Sequence, residues 1–298
     1  MTTNARDVMK VTVVGCGYMG AALARTVAER GCSVTVWNRT HARALELTSD
    51  GIRAVREISE AVADARVVLA CLIDYDATYA ALSSVEDWGG TVLVNLASGI
   101  PREAEEMSRW ADERGARYID GSMFCYPEDI GTPHGLFAYA GGDAAWRAVE
   151  PVLGRLDSAP AYLGEDITAA NALLMGGVLF YLPAVVACAE MITYLHRHGV
   201  GAEGAVRVMR TFAHNLVTTT EEIHQGIENN DHHSSRAVID TYAHGDHLIA
   251  EELRSVGQRA PIATAAGRLL ADASAAGIGQ LGLSALSDLL TAASVSGD

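Results

Sequence analysis

Val11-Thr12-Val13-Val14 runs straight into Gly15-Cys16-Gly17-Tyr18-Met19-Gly20, and that turn opens onto Ala21-Ala22-Leu23-Ala24-Arg25-Thr26-Val27. A short β-branched run, a GxGxxG turn and a helical pattern follow one another without a gap. Each glycine has a separate task in that context. Gly15 permits the tight turn, Gly17 lets backbone approach a pyrophosphate, and Gly20 lets helix and strand pack closely. The amides and dipole at the helix start then favour an anion. Tyr18 and Met19 belong to the same turn.

The next strand ends in Val36-Trp37-Asn38-Arg39-Thr40, with Arg43 one helical turn further on. A site for NAD usually carries Asp or Glu about 20 residues past the glycines, to accept the ribose hydroxyls. Here that place is occupied by Asn38, Arg39 and Thr40. A guanidinium binds a 2′-phosphate bidentately and a hydroxyl adds a donor. The expected cofactor is therefore NADPH. Ligands of such sheets lie at the carboxyl ends of the strands. That rule nominates Cys71 and Leu72 after the fourth strand, and Asn95 and Ser98 after the fifth.

Outward from the turn, strand and helix signals alternate. Strands are expected over 11–14, 33–37, 67–70, 91–95 and 118–119, with helices over 19–29, 42–47 and 102–113. Short strands near 136–140 and 161–163 complete the sheet. This alternation predicts an α/β Rossmann-type, doubly wound parallel sheet. From about residue 166 helical periodicity takes over. Helices are expected over 202–213, 217–227, 234–256, 261–275 and 283–292. The predicted organisation is an NADP-binding domain over 1–163, a long interdomain helix over 164–198, and an all-α dimerisation and substrate domain over 199–298.

Composition bounds the function. The 298 residues are 49% apolar and carry 37 acids against 22 bases, a formal net charge of −15. Such a chain repels a phosphate backbone, and no basic stripe compensates, so nucleic-acid binding is not expected. Five scattered cysteines without a CxxC pair predict thiols in a reducing cytoplasm rather than disulfides or a zinc site. The N-terminal stretch lacks a secretory apolar region. Residues 172–189 are uncharged and long enough to be weighed as a membrane span. Acids at both ends and Pro183 favour a helix buried between domains or subunits instead.

The segments GCGYMGAALA, VWNRT, NLASGIP, DGSMFCYPEDIGTP and LGED, followed by a long helix, resemble the NADPH-dependent imine reductases, relatives of the β-hydroxyacid dehydrogenases. The resemblance covers nearly the whole chain. It implies hydride transfer from NADPH to a cyclic or activated C=N bond, and a homodimer in which two chains interlock and share their active sites.

Two features separate this reading from the hydroxyacid one. Hydroxyacid relatives use a lysine early on the long helix, whereas the only lysine here is Lys10. They also follow the sixth strand with a Ser-Gly-Gly element that grips a carboxylate. Here Phe124, Cys125 and Tyr126 bring bulk, which favours an apolar amine precursor. Many imine reductases carry Asp or Tyr on the first turns of the long helix. This chain offers Asn171, or Leu174 on an ungapped reading. Asn171 is expected to hydrogen-bond substrate or an ordered water. Tyr181 is a second catalytic candidate as a phenolic proton donor, and direct binding of a pre-formed iminium is a third route. His232, His233, His244 and His247 are expected to be structural, with no metal. Alternatives left open are a small carbonyl reductase and an NADP-binding dimer without turnover.

Overall fold

The computed structural model describes residues 8–157 and 159–291. The chain divides into two compact units, one up to Val178 and one from Leu179. The boundary falls within a single helix, the element expected to link two domains.

The first unit is built on β1 (Lys10–Val14), β2 (Ser33–Trp37), β3 (Ile52–Ala54), β4 (Val67–Ala70), β5 (Val92–Asn95), β6 (Arg117–Met123), β7 (Phe137–Ala140) and β8 (Ala161–Tyr162). They form one eight-stranded sheet in the order β3-β2-β1-β4-β5-β6-β7-β8. All neighbours are parallel except β6 and β7. The strand order runs outward from β1 to β3 on one side and from β4 onward on the other, and this switch between β1 and β4 creates the crevice where such sheets hold ligands. Helices α1 (Tyr18–Glu29), α2 (His41–Leu45), α3 (Ile58–Ala63), α4 (Tyr75–Leu82), α5 (Pro101–Asp112) and α6 (Asp143–Leu153) connect the strands.

Central strands are buried on both faces, which is why Val67–Ala70 reads as an unbroken apolar run. One core packs Leu23, Val27, Leu69 and Val94 with Trp146 and Leu153 of α6. The other packs Val68 and Leu93 with Trp88, Met107 and Tyr118. Leu69→Ala is expected to cost about 2–5 kcal/mol, because the central site cannot collapse around the void; urea unfolding measures it.

Four elements are not among those expected from the sequence. Strand β3 is three residues long, and α3, α4 and α6 are short, with Pro151 inside α6. Short apolar stretches of this kind do not separate strand from helix by periodicity.

The long helix α7 spans Ala169–Arg197. By length and composition it could cross a bilayer. The second unit continues with α8 (Ala202–Asn229), α9 (Ile239–Ser255), α10 (Pro261–Ala273) and α11 (Leu286–Thr291). The two helices expected over 202–213 and 217–227 are one, because no Gly or Pro interrupts 213–217. Helix α8 ends at Asn230 in the left-handed region. The helix expected from residue 234 starts only at Ile239. Before it, Ser234 is tied to Glu222 at 2.6 Å, outside helical backbone. The last expected helix is a 3-10 turn, Leu283–Ala285, followed by α11; position 292 lies outside the described residues. Ile239, Ala273 and Ala285 centre a small core in this unit. Large apolar side chains on its helices stay exposed, including Leu179, Phe180, Leu182, Phe212 and Val217.

Candidate active site

The dominant cleft of the first unit measures about 890 Å³ and opens at the glycine turn. Gly15 sits at φ +102°, and a Cβ there would overlap the Cys71 carbonyl and lie 3.0 Å from Leu72 Cδ2. Gly20 is equally confined, since its Cβ would strike the Gly15 carbonyl. Gly17 faces open space and forms the N-cap of α1 without a side-chain cap. The orphan amides of the helix start are thus left for a ligand.

Asn38 joins this turn to the end of β2. Its Oδ1 accepts from Cys16 N at 3.0 Å, and its Nδ2 donates to Thr40 O at 3.0 Å. Trp37 is pinned by its Nε1 donating to Arg56 O at 2.9 Å. Beyond it Arg39, Thr40 and Arg43 line the cleft, and neither arginine forms an ion pair among the described residues. The basic end of the cleft is therefore uncommitted.

The structure brings Gly15, Gly17, Tyr18, Met19, Gly20, Asn38, Arg39, Thr40, Arg43, Cys71, Leu72 and Ser98 to this one cleft. Asn95 is placed elsewhere. It is fully buried, and its Oδ1 accepts from Thr78 Oγ1 at 3.3 Å and from Ala97 N at 3.4 Å. As the last residue of β5 it braces the strand end from within. Sequence reasoning missed Trp37, Ile58, Ile73, Leu96, Met123 and the wall supplied by α4. Ala77, Ala80, Ala81 and Ser84 recur at spacings of three and four. A stripe of small residues on one helical face was the available signal. Burial pushes the Cys16 thiol up to about 11 and the Cys71 thiol up to about 12. Both stay protonated near neutral pH and act as small apolar walls rather than nucleophiles.

Asn171 differs from expectation. It is 1% exposed and does not line the cleft. Its Nδ2 donates to Tyr75 Oη at 2.6 Å and to Asp120 Oδ1 at 2.7 Å. Asp120 Oδ2 also accepts from Tyr75 Oη at 2.5 Å and Tyr118 Oη at 2.6 Å. The Nδ2 donors are spent inside the protein because strand and helix converge on them. Tyr181 lies beyond the first unit and is 49% exposed. His232 Nδ1 contacts Ser284 Oγ at 3.0 Å within the second unit.

Burial pushes the Asp120 carboxyl up to about 7, against hydrogen bonds from Tyr118 and Tyr75 that favour its charged form. The folded state therefore holds this proton more tightly than the unfolded chain. Stability linked to it is complete below the unfolded pKa near 4 and is lost as pH rises through about 7, by at most about 1.4 kcal/mol per pH unit. Urea titrations between about pH 4 and 8 should show this slope for the wild type, and a flatter one for Asp120→Asn.

A parallel sheet with a glycine turn, an uncapped helix start and an unpaired basic cluster at the end of β2 defines a Rossmann-type dinucleotide-binding protein. Residues 10–164 match the model of the NAD binding domain of 6-phosphogluconate dehydrogenase, and the chain belongs to that family. It is 33% identical over 172 residues to an NADPH-dependent reductive aminase of Aspergillus oryzae, a match covering 56% of this chain and 58% of that protein. It is 25% identical over 165 residues to glyoxylate/succinic semialdehyde reductase 1 of Arabidopsis thaliana, covering 53% of this chain and 56% of that one. The matched part thus spans little more than half the length of these relatives. An imine reductase structure from Pseudomonas sp. superposes with a TM-score of 0.90 at 28% identity, over 95% of this chain and all of that one. A reductive aminase from Aspergillus terreus, in complex with NADPH and ethyl levulinate, gives 0.88 at 25% identity, over 95% and 99%.

Proposed function

We propose that this chain is an NADPH-dependent imine reductase, which reduces cyclic or otherwise activated C=N bonds to amines. The observation that carries the reading is the likeness to a solved imine reductase across that chain's whole length. The cleft fits the cofactor on its own evidence. Gly15 leaves no room for a side chain and Gly17 leaves open space for a ligand. The volume also lies within the range of small-molecule and cofactor sites.

Gly15, Gly17 and the start of α1 would hold the pyrophosphate. Arg39, Thr40 and Arg43 would hold the 2′-phosphate. NADPH, when bound, supplies the hydride. The chain's own share is to orient the acceptor carbon and exclude water. Leu96 and Met123 make the strand-end wall apolar, and Phe124 packs 3.4 Å from the position a Cβ would take on Gly177. Asn171 serves as a positioning group, since its amide has no proton to release near neutral pH. Tyr181 is the phenol proposed to protonate nitrogen. Tyr181→Phe should lower kcat about a hundredfold at unchanged NADPH affinity; unchanged turnover would leave the pre-formed iminium as the reacting species.

The apolar face of α7 and α8 supports a homodimer with shared sites. Leu179 is 78% exposed in the single chain, and Phe180, Leu182, Val185 and Phe212 accompany it. Exposed apolar side chains gathered along a helix favour an interface, and in this reading a second copy covers α7. Free thiols agree with a cytoplasmic location. NADPH consumption with 1-pyrroline-type imines tests the whole reading. Oxidation with ketoacids alone would make the protein a carbonyl reductase, and oxidation with neither would leave a binding protein.

A further inference from the structure

On β6, Tyr118, Asp120 and Ser122 alternate, and so share one face of the strand. Ser122 Oγ donates to Ala170 O at 2.9 Å, and Asp120 Oδ1 accepts from Asn171 Nδ2 at 2.7 Å. Two successive residues of the first turn of α7 are therefore held by two residues of one strand. From the other side Tyr75, the first residue of α4, reaches the same carboxylate at 2.5 Å. Helix α4 is the one whose Ala77, Ala80 and Ala81 wall the cleft. Asp120 is thus the common anchor of the cleft wall and of the helix that passes into the second unit.

The anchor is a carboxylate without a cation. From the elements packed around it, the polar side chains that reach it are Tyr75 of α4, Tyr118 of β6 and Asn171 of α7. Asn95, its register partner on β5, lies beside Tyr118, and Ala140 is its partner on β7. Glu103 of α5 is drawn close across Gly99, where a Cβ would overlap the Tyr75 ring, but its Oε2 accepts from Ile100 N at 2.8 Å. No Lys, Arg or His neutralises Asp120 among the described residues. Three donors alone hold the charge, and each is therefore consequential. Asn171 Oδ1 is buried without a hydrogen-bond partner. Protonated Asp120 would need an acceptor, and a half-turn of the Asn171 amide supplies one.

We propose that Asp120 is a positioning residue of the reductase: its carboxylate, gripped by Tyr75, Tyr118 and Asn171, fixes α4 and the first turn of α7 in the geometry that hydride transfer requires. It acts through these helices and contacts no reactant. The proposal rests on the imine-reductase reading for its kinetic consequences and on the hydrogen bonds alone for the anchor.

The test compares wild type with Tyr75→Phe, Tyr118→Phe and Asp120→Asn, the tyrosine variants guarding against an Asp120 change that fails to fold. Three quantities are read: NADPH affinity by fluorescence, kcat with a 1-pyrroline-type imine against pH, and amide exchange over residues 169–174. The anchor predicts a fall in kcat of about tenfold to a hundredfold, with NADPH affinity nearly unchanged. The acid limb of kcat should move up by about one pH unit in Tyr75→Phe, because one donor to the charged form is gone, and vanish in Asp120→Asn. Exchange over 169–174 should accelerate in all three. An unmoved limb, equal losses in affinity and kcat, or unchanged exchange would overturn it. A wild type that oxidises no NADPH with imines would overturn the functional reading instead, and the exchange measurement would still decide whether the anchor exists.

Discussion

Gly15→Ala should abolish NADPH binding and destabilise the first unit by more than about 4 kcal/mol, since two independent penalties meet at one atom. At φ +102° a side chain is strained whatever space surrounds it, at about 1–3 kcal/mol for such backbone. The new Cβ would also overlap the Cys71 carbonyl at the end of β4. That carbonyl cannot retreat cheaply, because Cys71 N is held by Val14 O at 2.8 Å. Relief would have to part β1 from β4, the centre of the sheet. Gly17→Ala is the informative partner. Nothing lies within 4 Å of its Cβ and its φ is an ordinary −74°. Its stability should stay within about 0.5 kcal/mol of wild type, while the methyl intrudes where a pyrophosphate would approach. Thermal unfolding and NADPH titration on the two variants separate a folding glycine from a binding glycine. Equal stability of Gly15→Ala and wild type would contradict the turn described above.

Arg39→Asp should weaken NADPH about a hundredfold to a thousandfold and NADH far less. Hydrogen bonds to a charged group are worth about 1.5–3 kcal/mol, and a carboxylate facing a 2′-phosphate adds repulsion. Arg39 is exposed and forms no ion pair among the described residues, so little of the loss can come from the fold. Asn38 should behave differently. Its side chain spans Cys16 N and Thr40 O, so Asn38→Ala loosens both phosphate loops and should cost affinity for both cofactors. Unchanged NADPH binding in Arg39→Asp would remove the assignment of the 2′-phosphate to this strand end.

The parts of the site that sequence made legible share one property: their chemistry is local. A glycine turn between a β-branched run and a helix, or an Arg-Thr pair where an acid is customary, depends on neighbours within a few residues. The Rossmann half and most of its cleft follow from such patterns. The apolar run over 172–189 announced a helix of unusual surroundings for the same reason. What only the tertiary structure decided is which distant groups meet. Tyr75, Asp120 and Asn171 come from a helix start, a strand and another helix, separated by 45 and 51 residues. No periodicity links them, and burial raises the cost of leaving any one unpaired. That is why Asn171, the one polar side chain at the start of the long helix, turned inward to a buried carboxylate. It is also why Asn95, nominated by its place at a strand end, closed on Thr78 instead of the cleft. Position along a strand is written in the chain, whereas the direction in which a polar group finds its partner is settled by packing alone.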